Sequence, residues 1–185
     1  MDMRSRLNQF RRDTRGVAAI EMAFIMPFLL FLYFGLIDLT AMISLNRKIT
    51  YSASVVADLV TQNATTVTAT KITDYFNAAK MVLDPVDISD VRIEVYQFRK
   101  VSNAITNQWS KKSTGGTACG TPSTTGMSDL MTDGNDVIVT VVCTTYSPYM
   151  ATFLGKAVLG ATSFNMSEQI ALRPRSSTTL ACTGC

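Results

Sequence analysis

A chain of 185 residues, 47% hydrophobic and 17% charged with a formal net charge of +3, can build one cored domain or an anchor plus a smaller domain. Arg4, Arg6, Arg11, Arg12 and Arg15 against Asp2 and Asp13 account for that excess before the first apolar run. The remainder is near neutral and lacks the basic, aromatic-interleaved stripe that would grip nucleic acid. Histidine is absent, which removes the commonest general base and metal ligand and argues against an enzyme, a cofactor or a metal centre.

Residues 1–16 form a polar, basic leader without apolar periodicity, expected to have no fold of its own. Val17 to Ile37 then reads VAAIEMAFIMPFLLFLYFGLI, with Glu21 its only charge. A run of this length at ~1.5 Å per residue spans ~31 Å, the thickness of a bilayer core. It shows no polar face of the kind a buried soluble helix keeps, and no A-x-A site closes it as a signal peptide. The leader's arginines outnumber Arg47 and Lys48 beyond the run, so the N-terminus should stay cytoplasmic and the remainder should face outward. Pro27 removes one helical hydrogen bond and predicts a local kink; Gly35 is a lesser soft spot, and Tyr33 reads as a lipid-facing or packed aromatic before one at the outer interface.

Helical spacing continues past the membrane through Met42, Leu45, Ile49, Ser52, Val56 and Leu59, giving a helix over residues 17–60. That seam can pack on the chain's own folded part or on helices of sister subunits. Residues 61–70 read as a Thr-rich linker or a lone polar strand. Lys71–Leu83 predicts a short helix with Ile72, Tyr75, Phe76 and Ala79 on one face, ended by Asp84-Pro85.

From Val91 the period becomes two. Val91–Phe98 alternates as a half-buried strand, and Val101–Trp109 is expected to fold back on it as a hairpin. Residues 110–135, rich in Gly, Ser and Thr, read as a long exposed loop. Asp136–Tyr146 is the strongest strand signal, Ser147–Gly160 a loose turn or short helix, and Ser163–Leu172 the last strand, ending at Arg173-Pro174-Arg175. Residues 61–185 are thus an α+β domain with an antiparallel sheet.

Four cysteines, Cys119, Cys143, Cys182 and Cys185, allow three disulfide pairings, of which Cys119–Cys143 with Cys182–Cys185 is the simplest. A four-thiolate zinc site and a redox-active Cys182-x-x-Cys185 are weaker readings, since only one C-x-x-C is present and reactive thiols want a helix N-terminus behind them. Asn63-Ala-Thr65 and Asn165-Met-Ser167 match the glycosylation pattern, which is short enough to arise by chance. Asp84, Asp87 and Asp90 cluster at a turn and read as solvated caps before a weak calcium site.

Gly16 and Glu21 remain. A carboxylate near a bilayer core costs roughly 2.5–3.5 kcal/mol, so Glu21 asks for a partner or a purpose. The plain account makes Gly16 a joint and Glu21 a first-turn carboxylate favoured by the helix dipole. It leaves the abrupt basic-to-apolar junction unexplained.

The string Arg15-Gly16-Val17-Ala18-Ala19-Ile20-Glu21-Met22-Ala23, with Pro27 beyond it, resembles the N-termini of type IV prepilins and pseudopilins. In particular it resembles the TadE/TadG family of tight-adherence (Flp-type) pilus systems, mainly over residues 11–45. Met22 departs from the family's more usual Phe or Tyr. The resemblance implies cleavage by a prepilin peptidase between Gly16 and Val17, with Glu21 as the fifth mature residue and a subunit-docking or register charge. It also implies a minor pilin-like protein of the bacterial inner membrane, exposed to the periplasm, whose partners are other pilin or pseudopilin subunits and the assembly machinery. Two readings from other classes stand beside it: a single-pass anchor carrying a periplasmic binding or sensor domain, and a periplasmic thiol oxidoreductase.

Overall fold

The computed structural model describes residues 16–84, 88–154 and 162–185. The leader arginines, Asp87 and the end of the predicted 147–160 segment lie outside the described residues. The chain divides into two compact units, Met1–Thr40 and Ala41–Cys185. The fold is α+β: a long apolar N-terminal helix followed by a small domain with an antiparallel four-stranded sheet.

Helix α1 runs Val17–Thr61 and continues through Pro27. In the first unit its apolar side chains point outward on all sides; Phe24, Phe28, Phe31 and Leu36 are each about half exposed or more. The helix is long and apolar enough to cross a membrane, and none of its apolar window is buried. One such N-terminal helix suggests a single-pass membrane anchor.

In the second unit α1 becomes one-sided. Leu45, Ile49, Ser52, Ala53, Val56, Ala57 and Val60 are buried, while Asn46 and Arg47 are exposed. The expected seam therefore holds from Leu45 to Val56. Its ends differ: Met42 is 37% exposed, and Val60 rather than Leu59 closes the stripe. A stripe on a straight 3.6-residue helix drifts, so stepping by three and four from one end loses the buried face at the other.

Strand β1 (Thr66–Thr68) leads into α2 (Ala69–Val82), where the Thr68 hydroxyl accepts from the Lys71 amide at 3.3 Å and starts the helix. Ile72, Phe76 and Ala79 form its buried face, as their spacing predicted. With Leu83 they join the α1 stripe in one cluster against Val91, Ile93, Val95, Ile138 and Val142 of the sheet.

The sheet has the order β3-β2-β4-β5, built from β2 (Arg92–Val101), β3 (Ala104–Lys112), β4 (Asp136–Tyr146) and β5 (Phe164–Leu172), every neighbour antiparallel. The β2–β3 hairpin turns at Ser102 and Asn103, both at positive φ (49° and 66°), so β3 starts at Ala104 rather than Val101. A two-residue turn of this hand matches the right-handed twist of its strands.

Two expectations fail here for one reason. Strand β2 is buried on both faces rather than alternating, and residues 110–135 are not a wholly exposed loop. Met127 and Met131, the first on a short helix α3 (Met127–Leu130), pack over Tyr96, Phe98, Val137, Val139 and Val141, forming a second apolar layer on the far face of the sheet. The short run Met127-Ser128-Asp129-Leu130-Met131, set among Gly, Ser and Thr, is too brief to show a period. The loop's close passage is set at Gly116 (φ +63°), where a Cβ would sit 2.8 Å from the Asp90 carbonyl oxygen and 2.9 Å from the Arg92 nitrogen.

Helix α4 (Tyr149–Leu154) follows β4. Strand β5 is not the last: after Arg173-Pro174-Arg175 the chain makes β6 (Ala181–Thr183), which pairs in parallel with β1. Three residues with one half-buried side chain carry no readable period, so this strand exists only by virtue of its partner.

Candidate functional site

Gly16 immediately precedes α1 and is exposed, and nothing lies within 4 Å of where a Cβ would stand. Neither packing nor a left-handed backbone asks for glycine at this position. Val17, half exposed, opens the helix. The first turn holds no acidic residue, and Glu21 comes one turn later. This weakens the helix-dipole account, because that field falls off within the first turn. On a helix Val17 and Glu21 are four apart and share a face, together with Ile25. The neighbouring side chains Ile20, Met22, Phe24 and Ile25 are all apolar and exposed, so Glu21 is one exposed carboxylate on an otherwise greasy surface.

The cysteines form two pairs, Cys119–Cys143 with Cα atoms 5.7 Å apart and Cys182–Cys185 at 5.8 Å. The first ties the loop after β3 to β4, and the second closes the chain just beyond β6. Among the described residues there is no free cysteine and no group of three or more His, Cys, Asp or Glu that could hold a metal. Asp84 and Asp90 are exposed. The two glycosylation-like asparagines differ sharply. Asn63 is buried and its Nδ2 donates to the Leu59 and Val60 carbonyls at 3.0 Å each, whereas Asn165 is exposed on β5. An amide committed to capping α1 has no room for a sugar.

Two ionic clusters escaped the sequence reading. On the far face of the sheet Glu94 is fully buried. It accepts from Arg92 Nε at 2.7 Å and from the Tyr96 hydroxyl at 2.5 Å, with Lys112 Nζ at 3.7 Å. Burial pushes Glu94 up, but the hydrogen bonds from Tyr96 and Arg92 and the charges of Lys112 and Arg92 outweigh it, so the carboxyl ends below its ordinary range. Burial, the bond to Glu94 and its charge together push Tyr96 up to about 12. Lys112 also stands 5.6 Å from the centre of the Tyr96 ring.

The sign of the pH dependence follows. Glu94 contributes stability above the usual carboxylate range, lost as pH falls through its lowered folded value. Neutral Tyr96 contributes stability that is full below its ordinary value of 10.0 and lost as pH rises through about 12. Thermal melts across pH should therefore show a plateau with both shoulders. Tyr96→Phe should remove the alkaline shoulder attributable to this hydroxyl; an unchanged alkaline limb would sink the assignment.

The second cluster joins distant parts of the chain. Asp136, 1% exposed, accepts from Arg99 Nε at 2.6 Å and from an Arg99 terminal nitrogen at 3.0 Å. Its Oδ2 also accepts from the Leu180 amide at 2.7 Å. The hydrogen bonds that Arg99 donates to Asp136 raise it further above its already high value. Trp109 Nε1 donates to the Leu180 carbonyl at 3.0 Å, the Arg175 amide to Thr61 at 3.1 Å, and the Ala181 amide to Thr65 at 2.9 Å. Arg175 pairs with Asp58 on α1. The C-terminal segment is thus strapped across the end of α1 and the start of β4. In both clusters the charged groups pair with other groups of the fold.

Residues 16–58 match a family model described as TadE-like protein. No curated relative and no solved structure matches the chain.

Proposed function

We propose that this chain, TadE-like over residues 16–58, is a minor pilin-like (pseudopilin) subunit of a bacterial inner membrane that takes part in assembling a tight-adherence pilus. Its folded unit would lie in the periplasm, with other pilin or pseudopilin subunits and the assembly machinery as partners. The observation that carries this reading is the matched segment itself. It begins at Gly16, a glycine that the fold does not require, and includes Glu21, the single charge of the apolar run 17–37 and exposed on it.

The chemistry is coherent with that role. Cleavage after Gly16 would leave Val17 with a free amine, a group able to carry a positive charge. In hydrocarbon, Glu21 of one subunit and the Val17 amine of a neighbour would each relieve the other's desolvation, setting register more than adding net stability. Most of the Leu45–Val60 face of α1 is already occupied by the chain's own core. Docking through the helix would therefore fall on residues N-terminal to it.

Mass spectrometry of the membrane-extracted protein, made beside its matching peptidase, should find a chain starting at Val17. A different start would sink processing. Glu21→Gln should abolish recovery of partner subunits while leaving the protein in the membrane. Undiminished recovery would instead favour an anchored binding or sensor domain unrelated to pili.

A further inference from the structure

We propose that one end of the folded unit, bearing Met81, Val82, Tyr149 and Phe164, rests in the headgroup layer of a lipid bilayer. The proposal rests on the membrane reading of residues 17–37.

The two ends of β4 differ in what they meet within residues 41–185. Its Asp136 end is tied through Leu180, Ala181 and Arg175 to residues 58–65, where α1 finishes. Towards its other end Cys143 pairs with Arg92, eight residues after Asp84, whose carbonyl is held by Lys48 near Leu45, where the buried stripe of α1 begins. Tyr146 pairs with Phe164, and Tyr149 lies three residues on. Lys48 Nζ donates to the Asp84 carbonyl at 2.7 Å, bringing the end of α2, with Met81 and Val82, to the same level of α1.

The exposed large side chains of that end are therefore Met81 at 79%, Val82 at 36%, Tyr149 at 73% and Phe164 at 42%. Among the described residues of the opposite end, Val101 at the hairpin turn is the exposed counterpart. Scattered apolar side chains need no explanation, but four gathered at one end from three separate elements do.

The occupant is argued from the chain. Residue 41, where this unit begins, directly follows the membrane-length apolar stretch, and Ile43 is still 47% exposed. The end that carries the four side chains is the end at which the chain leaves hydrocarbon. A tyrosine there has its ring in an apolar layer and its hydroxyl in water, the arrangement favoured at membrane interfaces. Arg47, exposed at the same level, suits anionic headgroups.

The test uses the full chain in vesicles of phosphatidylethanolamine and phosphatidylglycerol that contain lipids brominated close to the headgroup. Tyr149→Trp and, separately, Phe164→Trp add a reporter at the proposed contact. Native Trp109, bonded to Leu180 at the other end, serves as the internal control. The native chain should keep its emission, and both variants should lose the added emission. Added emission that survives while the chain floats with the vesicles and resists carbonate would overturn the contact alone. Protection from aqueous iodide without bromolipid quenching would put protein there instead and overturn it equally. A chain that fails to float would remove the membrane reading together with the inference.

Discussion

Asp136→Ala is expected to cost about 1–3 kcal/mol, the range for stranding a buried hydrogen-bond partner, since Arg99 is 31% exposed and can turn to water. The carboxylate is buried and makes three bonds: two from Arg99 and one from the Leu180 amide. Its loss leaves Arg99 to water and strands a buried amide N–H, a recognised route to destabilisation. The effect should also be local. Hydrogen exchange at Leu180 and Ala181 should rise more than in β2 or β4, because the Leu180 amide loses its partner while the strap's other bonds, to Trp109, Thr65, Thr61 and Asp58 among them, remain. Asp136→Asn tests the charge separately: it keeps an acceptor for Leu180 and should fall between the two. A melt for Asp136→Ala within a degree or two of the native chain would refute the strap's dependence on this residue.

Removing the Cys119–Cys143 bridge is the second large effect. The crosslink spans 24 residues, for which loop-closure entropy alone assigns about 3 kcal/mol. For a unit of this size that is on the order of 10 °C in melting temperature. A Cys119→Ser, Cys143→Ser double variant should show it, and reduction of the native chain, which opens both bridges, should give a larger shift. Met127 and Met131 lie within the bridged loop, so amides along the far face of β4 should lose protection first. Cys182–Cys185, with a separation of 3, closes a far shorter loop and should contribute roughly half as much by the same model. Equal effects from the two bridges would contradict the entropic account.

Much of the candidate site was readable before any coordinates. The Gly16–Val17 junction, Glu21 at its spacing and the span to Ile37 are local features, since composition over some twenty residues suffices to announce a hydrocarbon-length helix. The same holds for α2 and for β4. Ile72, Phe76 and Ala79 repeat at helical spacing, and within β4 Val137–Val142 is an unbroken β-branched run. These elements state their period in their own residues.

What stayed hidden depends on residues far apart in sequence. Glu94 and Tyr96 look like the solvent side of an alternating strand, and become buried because Arg92 and Lys112 neutralise the carboxylate while residues 113–131 lie over it. Strand β6 has no pattern of its own and is defined by pairing with Thr66–Thr68, more than a hundred positions away. Asp136 reads as the polar first residue of a strand until Arg99 and Leu180 arrive from either side. By itself the sequence determined the apolar helix, the processing-like junction and the strands whose side chains alternate or cluster within one local window. The tertiary structure decided which polar residues could leave water, because that depends on a counter-charge or an amide supplied from elsewhere in the chain.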